Sequence, residues 1–155
     1  MTEQALERLL DWLHTAPALA DLPLGVDDLS AVGESAGAFP LGIETLSRRE
    51  NLLGQVTLRC RTRCTLRLIL PLAPGDAGQG TRNAGRLLEL QDWVAQQSAA
   101  GLAPTFGNID STAERMAASS GRLERRSDEG TAVYTVELTA EYTLFLDRKK
   151  GEPET

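Results

Sequence analysis

In 155 residues the chain has one histidine, two cysteines and two lysines, and each shortage removes a class of function. His14 stands alone, far from the two cysteines, so the residues do not supply the ligand set of a zinc site. Cys60 and Cys64 are four residues apart on what reads as one strand face, a separation of ~13 Å. A disulfide needs Cα atoms roughly 4.4–6.8 Å apart, so the two thiols read as small buried hydrophobes. No apolar run approaches the ~20 residues of a membrane helix, and Met1-Thr2-Glu3-Gln4 lacks the basic start of a signal peptide. An intracellular chain with no membrane partner is expected.

Catalytic signatures are missing as well. There is no G-x-S-x-G, no GxxxxGK[ST] and no dinucleotide fingerprint. The adjacent carboxylates Asp27 and Asp28 lie in an expected loop, beside nothing that would raise a pKa. Nucleophile, base and charge-stabilising donors cannot be assembled from these residues, so the reading is a non-enzyme without cofactor or metal. Net charge is -6, which disfavours a general polyanion binder. The positive charge is uneven, however, with fourteen arginines and four of them clustered at 59, 61, 63 and 67.

That cluster belongs to the most informative segment, residues 56–72. Its even positions read Val56, Leu58, Cys60, Thr62, Cys64, Leu66, Leu68, Leu70 and Leu72, while its odd positions carry Arg59, Arg61, Arg63 and Arg67. Side chains of a strand alternate between faces, so the pattern predicts one half-buried strand. At ~3.3 Å per residue it spans ~50 Å, three times a usual strand. Residues 131–146 repeat the design, with Ala132, Tyr134, Val136, Leu138, Ala140 and Tyr142 alternating against Thr, Glu137 and Glu141.

Around these strands the spacing predicts a helix over 3–16, with Leu6, Leu9, Leu10 and Leu13 on one face and Pro17 ending it. Residues 22–37 read as a long connection. A strand over 39–49 places Phe39, Leu41, Ile43 and Thr45 on one side, and 50–54 forms a hairpin loop. Residues 73–80 read as a glycine-rich loop. A second helix over 81–100 has Ala84, Leu87, Leu88, Leu90, Val94 and Ala95 as its apolar stripe, stopped by Gly101. Trp93 projects outside that stripe, either under a neighbouring loop or as an anchor for a partner. Residues 112–126 are less regular, with Gly121 suggesting a bulge, and Asp128-Glu129-Gly130 is a turn.

The expected fold is therefore α+β and two-layered. A four-stranded, mainly antiparallel sheet carries two helices on one face, in helix–hairpin–helix–hairpin order. Residues 1–147 form one domain and 148–155 a charged flexible tail. The candidate subunit-interface residues are Arg59, Arg61, Arg63, Arg67, Glu137, Glu141 and Trp93. Both long strands outrun what two helices can cover, so their ends should project, and exposed strand edges invite pairing. On this reading, reversing Arg61 and Arg63 to Glu would dissolve an oligomer and leave the monomer folded.

Four collinear stretches carry a family likeness: 37–57 (GAFPLGIETLSRRENLLGQVT), 90–98 (LQDWVAQQS), 101–107 (GLAPTFG) and 130–142 (GTAVYTVELTAEY). Together they resemble phage minor capsid proteins of the tail-terminator type, found in tailed phages and prophages. The resemblance implies a small α+β protein forming a homo-oligomeric ring, typically a hexamer. Such a ring sits at the head-proximal end of the virion tail after assembly in the host cytoplasm. It caps the tail tube and docks to the head-completion or connector protein. DNA is a partner only in transit through the ring. The alternatives are a head–tail adaptor, a tail-tube-like subunit, or a small nucleic-acid-binding α+β module.

Overall fold

The computed structural model describes residues 2–27 and 34–147; the expected tail at 148–155 lies outside them. The chain order is α1 (Glu3–His14), β1 (Leu24–Val26), β2 (Ser35–Glu50), β3 (Gln55–Pro71), α2 (Ala77–Ala99), β4 (Arg115–Arg126) and β5 (Thr131–Asp147). The five strands make one mixed sheet in the order β1-β2-β3-β5-β4. The expected α+β class stands, with one strand more than the four anticipated. That strand, β1, runs parallel to β2 through Leu24↔Ala36 and Val26↔Ala38. Three residues carry no usable periodicity, and they lie inside the segment expected to be a long connection.

The centre of the sheet is the antiparallel pair β3–β5, registered without a shift from Gln55↔Asp147 to Pro71↔Thr131. Even positions of both strands turn inward. Leu66, Leu68, Leu70 and Val136 have no accessible surface, and Cys60, Cys64, Leu138, Ala140 and Tyr142 are buried. Both helices close this face in a single core with Leu9, Trp12, Leu13, Leu87, Leu90 and Val94. Burying each such aliphatic side chain contributes roughly 1.5–3 kcal/mol.

Local chemistry fixes the helix ends. Thr2 caps α1 by accepting from the Ala5 amide at 3.1 Å, and Asp76 caps α2 by accepting from Gln79 at 3.0 Å. That second cap starts α2 at Ala77, drawing Gly78 and Gly80 into the helix instead of a loop. The inward stripe of α2 is Asn83, Leu87, Leu90 and Val94, whereas Ala84, Leu88 and Ala95 face solvent. Asn83 replaces an apolar residue because it is fully satisfied. Its amide donates to the Pro71 carbonyl (2.8 Å) and the Tyr134 hydroxyl (3.2 Å), and its Oδ1 accepts from Gln79.

Two strands depart from simple alternation. In β2 the register shifts between Pro40 and Gly42 and again between Thr45 and Ser47. Gly42, at φ 96°, takes a backbone conformation that L side chains resist. Phe39 consequently pairs with Thr65 on the charged face, while Ile43 pairs with Thr62 on the helix face. In β4 the expected irregularity falls at Ser120-Gly121, where the register jumps from Ser119 to Arg122 and Ser120 takes φ 57°. Gly121 donates to Gln91 Oε1 of α2 at 3.1 Å, and a Cβ there would lie 3.3 Å from that of Leu87.

Beyond the start of β4, the loop over 101–110 continues the sheet by side chain. Asn108 donates to the Phe145 carbonyl at 2.8 Å and accepts from the Phe145 amide at 2.7 Å, as a strand residue would. Gly107 lies so close to β5 that a Cβ would fall 2.3 Å from the Thr143 carbonyl oxygen. Gly107→Ala should therefore cost about 1–3 kcal/mol in urea denaturation, because backbone must move. Gly85→Ala, in α2 with open space at its Cβ, should instead stabilise by about 0.5–1 kcal/mol.

Candidate assembly surface

The odd positions of β3 and β5 build a charged ladder on the face opposite the helices. Arg61 sits between Glu44 of β2 and Glu141 of β5. Its Nη2 donates to Glu141 Oε1 at 2.8 Å and its Nε at 3.2 Å, with Glu44 at 3.9 Å. The Glu141 hydrogen bonds raise the Arg61 pKa further. Arg59 donates to Thr143 Oγ1 (3.0 Å) and the Ala113 carbonyl (3.1 Å) and lies 3.9 Å from Glu141. Arg63 bridges Glu44 at 3.8 Å and Glu137 at 3.9 Å. Arg67 stacks over Phe39 at 4.9 Å, and its Nε meets Glu124 at 3.4 Å.

The structure thus brings together every charged candidate from the sequence, but inside one chain. Because the arginine-bearing and glutamate-bearing strands are neighbours, each arginine already meets a carboxylate of its own sheet. Reversing Arg61 and Arg63 would set new carboxylates beside Glu44, Glu137 and Glu141, disturbing the monomer together with any oligomer. These pairs are half-exposed, and such pairs contribute little to stability.

Trp93 likewise turns inward. It stacks on Trp12 of α1 with ring centroids 4.7 Å apart and planes at 30°, and Trp12 Nε1 donates to Gln97 Oε1 at 3.0 Å. The tryptophan braces α2 against a helix rather than under a loop. His14 is exposed at the end of α1, and no group of three metal-ligating side chains occurs among the described residues.

The sequence reading missed an apolar surface on the projecting end of the sheet. Every β2 residue from Leu41 to Glu50 is exposed. Leu41, Ile43, Leu46, Leu52 and Leu53 stand open to solvent, Leu52 completely so at 105%. Leu146 of β5 is also exposed, at 46%, and pairs with Val56. The visible signal was the Leu52-Leu53 pair inside a turn, where polar residues are the rule. β1 pairs only with residues 36–38, so the β2 edge beyond them carries no strand partner among the described residues.

At the opposite end a groove of about 570 Å³ opens between the first half of α2 and the end of β4. Leu72, Ala84, Leu88, Leu123 and Tyr134 line it, with Arg122 and Arg126 alongside. A charged trough of about 440 Å³ follows the ladder past Arg61, Arg63 and Arg115.

No protein-family model matches the chain, and no curated protein matches it. Fourteen solved chains do. One, with no stated function, is 15% identical over 99% of both chains at a TM-score of 0.48, and carries no argument about role.

The thiols give a direct test of the core. Burial pushes Cys64 up to about 11 and raises Cys60 as well. Above pH 9 the unfolded state loses the Cys64 proton before the folded state does, so stability falls as pH rises from about 9 to about 11. Thermal unfolding across that window should show the decline, with Cys64→Ala flattening it by up to about 2 kcal/mol. A thiol reagent at pH 8 should leave the native protein unmodified and label both cysteines in denaturant.

Proposed function

We propose that this chain is a structural phage protein of the tail-terminator type, whose copies form a ring at the head-proximal end of the tail tube. The observation that carries the reading is the β2–β3 hairpin, which leaves the helix layer with leucines exposed along its length. Side chains of that kind are the mark of an interaction surface when they are contiguous.

Three further features support it. The four resembling stretches fall on the projecting hairpin, the Trp93-bearing half of α2, the loop packed on β5, and β5 itself. Among the described residues the groups with shifted pKa values are two buried thiols, Tyr142 and an ion-paired arginine, which suit packing rather than proton transfer. The arginine ladder is answered by Glu44, Glu124, Glu137 and Glu141, so a phosphate backbone would compete with carboxylates already in place. That weighs against the nucleic-acid-binding alternative.

Analytical ultracentrifugation and negative-stain microscopy of the purified chain, with and without tail-tube protein, test the proposal. A closed ring, and tubes that stop growing with density at one end, are the expected results. Incorporation along the whole tube would favour the tail-tube-like alternative. A chain that neither closes a ring nor meets the tube would overturn the reading.

A further inference from the structure

We infer that the open edge of β2 pairs with the same edge of a second copy, antiparallel about a two-fold axis. Thr45 then lies opposite the partner's Arg48, Ile43 opposite the partner's Glu50, and Glu44 opposite the partner's Arg49. Such an isologous contact closes on two copies. The inference therefore does not rest on the ring; it describes the chain off the tube.

Backbone polarity selects this register. Ala36 donates to the Pro23 carbonyl and Ala38 accepts from the Asp27 amide, so β2 residues opposite even positions of β3 turn their peptide groups to the outer edge. At the hairpin Asn51 donates inward to the Gln55 carbonyl, which agrees. Past β1 the outward residues are Ile43, Thr45, Arg48 and Glu50, opposite Thr62, Cys60, Leu58 and Val56. Setting Thr45 against the partner's Arg48 makes each of these outward residues meet another. Glu44 and Arg49 then fall in the non-hydrogen-bonded pairs between them.

The bulge at Leu46 says which strand can occupy the edge. The register with β3 shifts between Thr45 and Ser47, so three steps from Thr45 to Arg48 match two from Cys60 to Leu58. A regular strand from another protein would have to absorb that extra residue, and bulges protect edges in this way. A second copy carries the same extra residue. In this register the two bulges face each other across the axis, three steps against three.

Side chains fit the same register. Arg49 has no ion-pair partner among the described residues. Glu44 keeps 56% of its side chain open and meets Arg61 and Arg63 only at 3.9 and 3.8 Å. The pairing sets these two opposite charges against each other on both sides of the axis, where facing residues attract. Arg48 stays bonded to Glu50 of its own strand at 3.1 Å, and no like charges stand directly opposite. The open leucines are covered as well: Leu41 falls opposite the partner's Leu52, and Leu46 stands beside the axis in both copies. In the single chain these three are 62, 105 and 38% exposed. The paired form thus shields leucines on which the assembly reading depends.

Glu44→Cys/Arg49→Cys tests the register in the full-length protein. Cα atoms of a non-hydrogen-bonded antiparallel pair lie ~4.5 Å apart, within the roughly 4.4–6.8 Å of a disulfide. Inside one chain the two positions are ~16 Å apart. Oxidised glutathione should therefore convert this variant to a covalent dimer on a non-reducing gel. Neither single variant should cross-link alone, but their equimolar mixture should. Thr45→Pro removes an amide turned away from β3, so the dimer should weaken at least tenfold in sedimentation with an unchanged far-UV spectrum. Should that variant lose its fold, Arg49→Glu, which sets a carboxylate against the partner's Glu44, supplies the same test. Single variants that cross-link as readily as their mixture, or a dimer indifferent to these substitutions, would place the contact elsewhere and overturn the pairing. A wild type that stays monomeric at several hundred micromolar overturns it too. Ring closure and tube capping are read separately, with tail-tube protein present.

Discussion

The β3–β5 ladder is the constraint on which the rest of the molecule depends. Its seventeen pairs run without a bulge, so the alternation of faces never slips. A slip of one residue would carry Leu66, Leu68 and Leu70 to solvent and the arginines into the core. Four arginines beside such leucines are therefore a strong statement of register. Desolvating even one guanidinium without its carboxylate would outweigh what several buried methyl groups contribute. The flanking strands β2 and β4 do carry bulges, and they can afford them because the central pair holds alignment.

Much of this was legible in the sequence because a period of two sustained over seventeen residues is a long-range signal. The two long strands and their inward faces follow from it. The bulge near Gly121 was legible for a different reason, since glycine inside a strand pattern marks a break or a close approach. What stayed hidden were features that depend on a few atoms. The three-residue β1 is held by parallel pairing to β2 and not by any pattern of its own. The early start of α2 depends on one carboxylate, Asp76, satisfying one amide. The inward turn of Asn83 depends on three partners that come together only in the fold.

The candidate site was half legible for a related reason. Charge pattern pointed to the ladder, and the ladder exists, but sequence cannot say whether opposite charges on two strands meet within a chain or between chains. The sheet order decides it, by putting β3 beside β5. Trp93 shows the same ambiguity: its position outside the apolar stripe is equally consistent with an external partner and with Trp12. That strand ends project followed from their length, but which residues of 41–53 stand open did not, because alternation describes a strand's two sides and not where a helix layer stops or where a bulge exchanges the faces.

A ladder that is already paired has a consequence for assembly. To use those arginines between copies, a neighbour would have to displace Glu44, Glu137 or Glu141 and desolvate both groups, for a return of about 0–1 kcal/mol per exposed pair. Covering one open leucine returns roughly 1.5–3 kcal/mol with no partner to displace. Aliphatic side chains left open on the hairpin, Leu52 and Leu53 foremost, therefore hold more energy for association than the paired ladder does. The paired charges make the flat sheet face a poor place for a second sheet to stack.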